Sequence, residues 1–153
     1  MSQLTLFKKT GQKLVFKCDC CGTIKNANAK YLDKRLIAEL FEMGIWLKCK
    51  EGSFNPRWVF NEDHHKIADF QKLQWWGFIE QSQKSGWWLL KEKAIKFLNQ
   101  EIQECRKIFV LEGKRLREYD SEAMVRVETA DPRWQMEKSD FVEQLPIRFA
   151  VNE

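Results

Sequence analysis

Apolar and polar positions alternate near the start of the chain and then change to helical spacing. Over residues 3–17, apolar side chains alternate with polar ones on both sides of a turn at Gly11, and this pattern predicts two short strands paired as a β-hairpin. From Asn28 to Met43 the spacing is that of an amphipathic helix, with Gly44 placed as its C-terminal cap. The apolar positions of this helix include Tyr31, Leu32, Leu36, Ile37, Leu40 and Phe41.

A second helix is predicted over 62–76. Asn61 can cap its start, and Gly77 follows its last apolar residue. Its apolar face consists of Ile67, Phe70, Leu73 and Trp76. Between the two helices, the apolar segments "IWLKC" and "PRWVF" suit two strands or an irregular connection.

The rest of the chain predicts further hairpins and one more helix. Two apolar runs surround the polar turn "QSQKSG" within residues 77–90, which is typical of a β-hairpin. Helical spacing returns through Ala94, Ile95, Leu98 and Ile102. A strand, a turn at Gly113 and a second strand follow, and the last thirty residues predict a strand and a loosely packed tail.

The order helix, helix, hairpin, helix, hairpin is that of a winged-helix module, in which one helix can enter the major groove beside a β wing. The predicted fold is therefore α+β, a winged helix-turn-helix core with an N-terminal β-hairpin and cysteine knuckle and a C-terminal β-hairpin. The predicted domains are 1–27 for the hairpin and knuckle, 28–120 for the winged helix, and 121–153 for a C-terminal strand and acidic tail.

The segments "FQKLQWWGFIEQ", "GWWLLKEKAIKFLNQEI" and "CRKIFVLEGKRLREYD" carry a family resemblance. Together they resemble winged-helix proteins of phages, prophages and archaea, which often have a small cysteine knuckle and no assigned function. The resemblance covers roughly residues 60–120. Lys91 stands where the family pattern has a capping threonine, and Ala94 where it has glycine. The resemblance implies the fold more than the activity.

Three of the five cysteines stand within four positions, in "CDCCG" at residues 18–22. Cys18, Cys21 and Gly22 have the C-x-x-C-G spacing of a zinc knuckle, in which a turn directs two thiolates at one metal ion. A structural zinc ion takes four ligands, and the remaining candidates are Cys49 with His64 or His65. Cys20 is then the spare cysteine. Alternatively the cysteines are small buried residues and the two histidines a polar pair at a helix start.

Charge is distributed unevenly along the chain. Residues 1–50 carry ten basic and four acidic groups, whereas residues 118–153 carry four basic and nine acidic groups. A basic N-terminal part of the chain suits binding to a polyanion such as DNA. The uneven charge is equally explained by a solvated surface, or by an acidic C-terminal tail that folds back over the basic N-terminal part. Two tryptophan pairs, Trp75–Trp76 and Trp87–Trp88, border the predicted wing, and alternation along a strand predicts that one of Trp87 and Trp88 is buried.

Helix 62–76 is the predicted recognition helix. Gln71 and Gln74 suit the adenine edge, and Lys66 and Lys72 suit guanine or phosphate. The helix carries more acids than lysines, so contacts from Lys84 on the wing and from flanking cations are also predicted. The flanking cations are Lys8, Lys9, Lys13 and Lys17 on the first hairpin and Arg106, Lys107, Lys114, Arg115 and Arg117 on the last. Alternatively, these residues belong to an ordinary solvated surface.

These patterns predict a DNA-binding regulator or accessory factor with a structural zinc ion. No glycine-rich phosphate loop, nucleophile elbow or H-E-x-x-H motif is found in the sequence, so an enzyme is not expected. The alternative is an anti-CRISPR-like inhibitor whose acidic surfaces imitate nucleic acid on a host defence complex. A weaker alternative is a metal-stabilised subunit that assembles as a homodimer. With no secretory signal or apolar membrane segment, a cytoplasmic location is expected, in the host cell if the protein is phage-encoded.

Overall fold

The computed structural model describes residues 3–129 and 131–138, which form a mixed α+β structure with antiparallel sheets, as predicted. The strands are β1 (Leu4–Lys9), β2 (Lys13–Cys18), β3 (Ile24–Tyr31), β4 (Gly52–Phe54), β5 (Ile79–Gln81), β6 (Trp88–Leu90), β7 (Glu104–Cys105), β8 (Lys107–Leu111), β9 (Lys114–Arg115) and β10 (Met124–Val125). The α-helices are α1 (Lys34–Trp46), α2 (Pro56–Val59), α3 (His64–Asp69), α4 (Glu92–Leu98) and α5 (132–138). The chain also forms 3₁₀ helices over Phe70–Trp76 and Arg117–Tyr119.

The chain divides into two compact units that each combine two segments. Among the described residues, the first unit contains 3–33 and 104–125, and the second contains 34–103, 126–129 and 131–138. The predicted domains 1–27, 28–120 and 121–153 follow the order of the sequence instead. In the parts of the chain that the structure describes, no helix has the length and apolar character needed to cross a membrane.

The first unit is built on a five-stranded antiparallel sheet in the order β1-β2-β3-β8-β9. The predicted first hairpin and the hairpin around Gly113 are both confirmed as neighbouring strand pairs of this sheet. One face of the sheet buries Leu14, Phe16, Ala27 and Phe109, and Tyr119 meets Phe16 edge to face at 5.9 Å. Aromatic and aliphatic burial on this face stabilises the sheet.

The predicted helix over residues 28–43 is wrong at its start. Residues up to Tyr31 belong to strand β3, because Ala27 and Ala29 alternate inward against the sheet core with the two-residue period of a strand. The helix begins at Lys34 and continues past Gly44 to Trp46. Gly44 is therefore an interior helix residue rather than a cap.

Of the two alternatives for the segments "IWLKC" and "PRWVF", two strands or an irregular connection, the two strands are wrong. The segment "IWLKC" contains the end of α1, and "PRWVF" begins with α2, whereas strand β4 lies between them. Helix α2 starts there because the Asn55 side chain accepts a hydrogen bond from the backbone N–H of Arg57 and Pro56 occupies the first turn. A polar cap followed by proline is the sequence signal for such a start.

The predicted helix 62–76 is confirmed in position and changed in detail. It begins at His64, where the Asp63 side chain caps the backbone N–H groups of His65 and Lys66, and its second half is a 3₁₀ helix. Asn61 has a positive φ of 48° and forms the preceding turn instead of the cap. Gly77 ends the helix with φ of 79°, a conformation that glycine adopts without steric cost. We call residues 64–76 the recognition helix, after the role that the sequence analysis predicts for helix 62–76.

The recognition helix packs on a three-stranded sheet in the order β4-β6-β5. Phe70, Leu73 and Trp76 are buried and Ile67 is half-buried, so the predicted apolar face is confirmed. Trp88 is buried and meets Phe70 edge to face at 5.2 Å, whereas Trp87 is half-buried. The expected division of this tryptophan pair between core and surface is thus confirmed.

The predicted loose packing after residue 124 is wrong for residues 132–138. These residues are helical, and the Trp134 side chain is 1% exposed, with its indole edge to face against Phe41 at 5.8 Å. The indole N–H of Trp134 donates to Asn99 Oδ1 at 3.3 Å. Met124 and Val125 form β10, the strand predicted before the tail, and residues 139–153 lie outside the described residues.

Candidate nucleic-acid interface and metal site

The three clustered cysteines occupy a tight turn at the end of β2. The backbone N–H of Cys18 donates to the Thr23 carbonyl at 2.8 Å, and that of Gly22 donates to the Cys18 carbonyl at 2.9 Å. Gly22 has φ of 73°, which favours glycine. The turn therefore holds the backbone of all three cysteines in one compact loop.

The sulfur atoms of Cys18, Cys20 and Cys21 all lie within 4.8 Å of one another. Cys18 is buried and the other two are exposed, and the Sγ atoms of Cys18 and Cys20 are 3.1 Å apart, so these cysteines are thiols and not a disulfide. Two thiolates on one tetrahedral zinc ion stand about 3.8 Å apart, given a Zn–S bond of about 2.3 Å. The three cysteines can hold a metal ion.

The thiols of Cys18 and Cys20 in this turn differ in pKa. A hydrogen bond from the Cys20 thiol, with smaller contributions from the backbone at Cys21 and Cys20, lowers the pKa of Cys18 to about 6. The same hydrogen bond raises the pKa of Cys20, and burial adds to the rise. Cys18 is thus the thiolate at neutral pH, which is the form that binds metals.

The other predicted metal ligands, Cys49 and His64, belong to the second unit. The Cys49 thiol donates to the Trp134 carbonyl at 3.9 Å, and burial raises its pKa to about 11. His64 is exposed at the first residue of α3. Cys20, which the sequence analysis set aside, is the third member of the cluster. Its position two residues after Cys18, within a turn, is the signal that could have identified it.

Both lysines of the recognition helix form ion pairs. Lys66 Nζ lies 2.7 Å from Glu42 Oε1, and this hydrogen bond raises the pKa of Lys66. Lys72 Nζ lies 2.9 Å from Asp69 Oδ1, and Asp69 also meets Arg35 at 2.9 Å. The positive charge predicted for groove contact is therefore neutralised within the second unit.

The recognition helix borders an open cleft of about 450 Å³ beside the β5–β6 hairpin. Exposed Gln71 lines this cleft, whereas Gln74 is half-buried. Its lining combines apolar side chains with amide, guanidinium and hydroxyl groups. Its lining residues are Asn55, Pro56, Arg57, Ile67, Phe70, Gln71, Ser85, Gly86 and Trp88. Such a cleft can receive a flat or extended ligand that offers hydrogen-bond partners.

Three tryptophans of the second unit form a row that we call the tryptophan row: Trp46, Trp58 and Trp87. The ring centroids of Trp46 and Trp58 are 6.5 Å apart, and those of Trp58 and Trp87 are 5.1 Å apart. Trp58 is 59% exposed and Trp46 40% exposed. The sequence analysis did not identify this row, because its members come from α1, α2 and the hairpin.

One cation lies against the tryptophan row, and a second is next to it in the sequence. Lys84 Nζ lies 4.8 Å from the ring centroid of Trp87, and Arg57 directly precedes Trp58. Within the described residues neither Arg57 nor Lys84 forms an ion pair. Positive charge is therefore available at the cleft and the wing, in contrast to the paired lysines of the recognition helix.

The basic flanks predicted on the hairpins belong to the first unit. Lys8 and Lys9 are exposed on β1, and Lys9 lines a second open cleft together with Lys107 and Tyr119. Arg115 is not a surface cation as predicted. Its guanidinium is buried between Glu104 and Asp120, with Nη2 at 3.0 Å and 2.7 Å from their oxygens.

Comparison of the chain with known protein families, with curated proteins and with solved structures returned no match.

Proposed function

We propose that the second unit is a winged-helix module that binds DNA, and that the protein acts as a transcriptional regulator or an accessory factor. The element order supports this proposal, because α1, β4, α2, the recognition helix and the β5–β6 hairpin follow one another as in a winged helix. The placement of β6 between β4 and β5 is likewise that of a wing sheet.

The observation that carries the proposal is the unpaired charge beside the cleft. Arg57 and Lys84 are exposed, and no ion pair with another described residue neutralises them. Such cations can neutralise phosphates and release the counterions condensed on DNA. Lys66 and Lys72 are already paired, so the wing and α2 supply the phosphate contacts, and Gln71 is the group placed to meet a base edge.

We further propose that Cys18, Cys20 and Cys21 supply three of the four ligands of a structural zinc ion. Three sulfurs within 4.8 Å fit the coordination distances of zinc with small side-chain movements. Zinc would stabilise the turn that leads from β2 into β3. Lys25 on β3 pairs with Glu112 beside this turn.

A salt titration of DNA binding tests the proposed function. Fluorescence anisotropy of a labelled duplex, with the full chain, should show affinity that falls as salt rises, with a log–log slope of about −0.9 per neutralised phosphate. The double variant Arg57→Gln, Lys84→Gln should reduce that slope by about 2. The matched control is Lys66→Gln, Lys72→Gln, which removes two lysines that are already paired and should leave the slope nearly unchanged.

Two results would contradict the proposal. One is no binding of any duplex at low salt. The other is a slope that depends on Lys66 and Lys72 but not on Arg57 and Lys84, because the phosphates would then contact the recognition helix. The first result would favour an inhibitor that binds a host protein complex. The ion pairs of Asp69 weigh against nucleic-acid mimicry by the recognition helix, because Arg35 and Lys72 already match this acid.

A further inference from the structure

We infer that the tryptophan row binds single-stranded nucleic acid by stacking on unpaired bases. This inference rests on the proposed nucleic-acid binding and narrows it to a substrate class. It combines an exposed aromatic surface, the spacing of its rings and the cation at the Trp87 end of the row.

The tryptophan row is an aromatic surface that the fold leaves open. Trp58 is 59% exposed on the four-residue helix α2, and Trp46 is 40% exposed at the end of α1. Both indoles are held in place by neighbouring rings, since Trp58 meets Trp46 at 6.5 Å and Trp87 at 5.1 Å. A supported row loses little conformational freedom when a flat ligand stacks on it.

The chemistry of the row favours unpaired bases over duplex DNA. Phosphates are strongly hydrated and gain nothing from an indole surface, and the faces of paired bases are covered by their neighbours in the stack. Only single-stranded segments, frayed ends or flipped nucleotides expose a base face to an aromatic side chain. An exposed tryptophan row therefore suits a single-stranded nucleic acid as its ligand.

Lys84 beside the row, and Arg57 at the neighbouring cleft, complement the backbone of such a strand. Lys84 Nζ stands 4.8 Å from the centroid of Trp87, at one end of the row, and Arg57 is adjacent in sequence to Trp58. No acidic partner pairs with either cation within the described ranges 3–129 and 131–138. Aromatic rings that stack on bases, interleaved with cations that meet phosphates, are the pattern of single-strand binding sites.

Fluorescence anisotropy with two probes tests this inference. The probes are a labelled oligo-dT of about 12 nucleotides, within the range of single-strand sites, and a blunt duplex of the same length. The full chain should bind the single strand more tightly. Trp58→Ala should weaken that binding about 10-fold, the loss of roughly one stacked base, while changing duplex binding much less. Trp58→Phe, which keeps an aromatic face, should retain most of the affinity.

Met136→Ala is the matched control, because Met136 is 63% exposed but lies on α5 and outside the tryptophan row. It should bind both probes like the unaltered chain. Circular dichroism of each variant separates loss of contact from loss of fold. Quenching of tryptophan fluorescence by oligo-dT gives a second readout, which Trp58→Ala should diminish.

The outcomes separate this inference from the proposed function. Duplex binding with the expected dependence on Arg57 and Lys84, but with no preference for oligo-dT and no effect of Trp58→Ala, overturns the inference and leaves the proposed function standing. Binding of neither probe overturns both. Concentration-dependent dimerisation that Trp58→Ala abolishes, in a chain that does not bind oligo-dT, overturns the inference in favour of a protein interface.

Discussion

The Cα atom of Gly44 lies against the indole ring of Trp134. A Cβ atom built on Gly44 would stand 2.5 Å from Cζ3 of Trp134 and 3.1 Å from Cδ1 of Leu98. The glycine in the interior of α1 is thus explained by the ring that packs on it. This contact also fixes α5 against α1 within the second unit.

Gly44→Ala should destabilise the second unit. Alanine is the better helix former by about 1 kcal/mol, but the clash with Trp134 should cost more, for a net loss of about 1–3 kcal/mol. Thermal unfolding followed by tryptophan fluorescence measures this, since all seven tryptophans belong to the second unit. Gly11→Ala is the control, because no atom lies within 4 Å of its Cβ position. A stabilised Gly44→Ala variant would contradict the packing.

Glu39 should make stability fall as pH rises from 5 to 8. Its side chain is buried in α1, and burial, with a further contribution from the Asp69 carboxylate, raises its pKa to about 8. Between the ordinary pKa of 4.5 and about 8, the folded state keeps a proton that the unfolded state has lost. The unfolded state is therefore favoured increasingly across that interval.

Glu39→Gln should remove this pH dependence and, at pH 8, stabilise the protein by about 4 kcal/mol. The groups that face Glu39 are Asp69, Glu42 and Arg35, and they remain in the variant. Melting temperatures from pH 5 to pH 9 provide the measurement, and exposed Glu51→Gln serves as the control. Parallel curves for Glu39→Gln and the unaltered chain would show that Glu39 does not bind this proton.

Arg115→Met should destabilise the first unit by about 3 kcal/mol, because it leaves the buried carboxylates of Glu104 and Asp120 without their cation. Hydrogen exchange of the backbone amides in β8 and β9 should accelerate accordingly. Arg117→Met removes an exposed arginine from the neighbouring turn and should leave exchange unchanged. Equal exchange in both variants would mean that the buried ion pairs contribute nothing.

Zinc binding should depend on Cys20 as strongly as on Cys18 and Cys21. Replacing any one of them by serine removes a ligand from the cluster. Zinc binding should weaken about 10-fold or more, because even the loss of a residue that only supports a metal ligand has an effect of this size. Competition with a chromophoric chelator measures the affinity. Cys49→Ser and His64→Ala should bind zinc like the unaltered chain, and a loss in either would assign the site a ligand from the second unit.

Short-range patterns in the sequence were sufficient for much of the fold. Alternation defined the first hairpin, the hairpin around Gly113 and the wing, and the spacing of Phe70, Leu73 and Trp76 defined the buried face of the recognition helix. Each of these signals arises from a single element that exposes one face to water and the other to the core. The position of Gly77 at the helix end followed from the same local reasoning, since a positive φ is set by the backbone of one residue.

The boundaries of α1 and the candidate sites were decided by tertiary structure. Gly44 suggested a helix end, yet it serves as the contact surface for Trp134, ninety residues later in the chain. Lys66 is neutralised by Glu42, an acid that α1 supplies from a distant part of the sequence. The tryptophan row unites residues from three elements. Contacts between distant residues have no local periodicity, so the sequence determined which elements form, and only packing decided which charges remain unpaired and which aromatic rings meet.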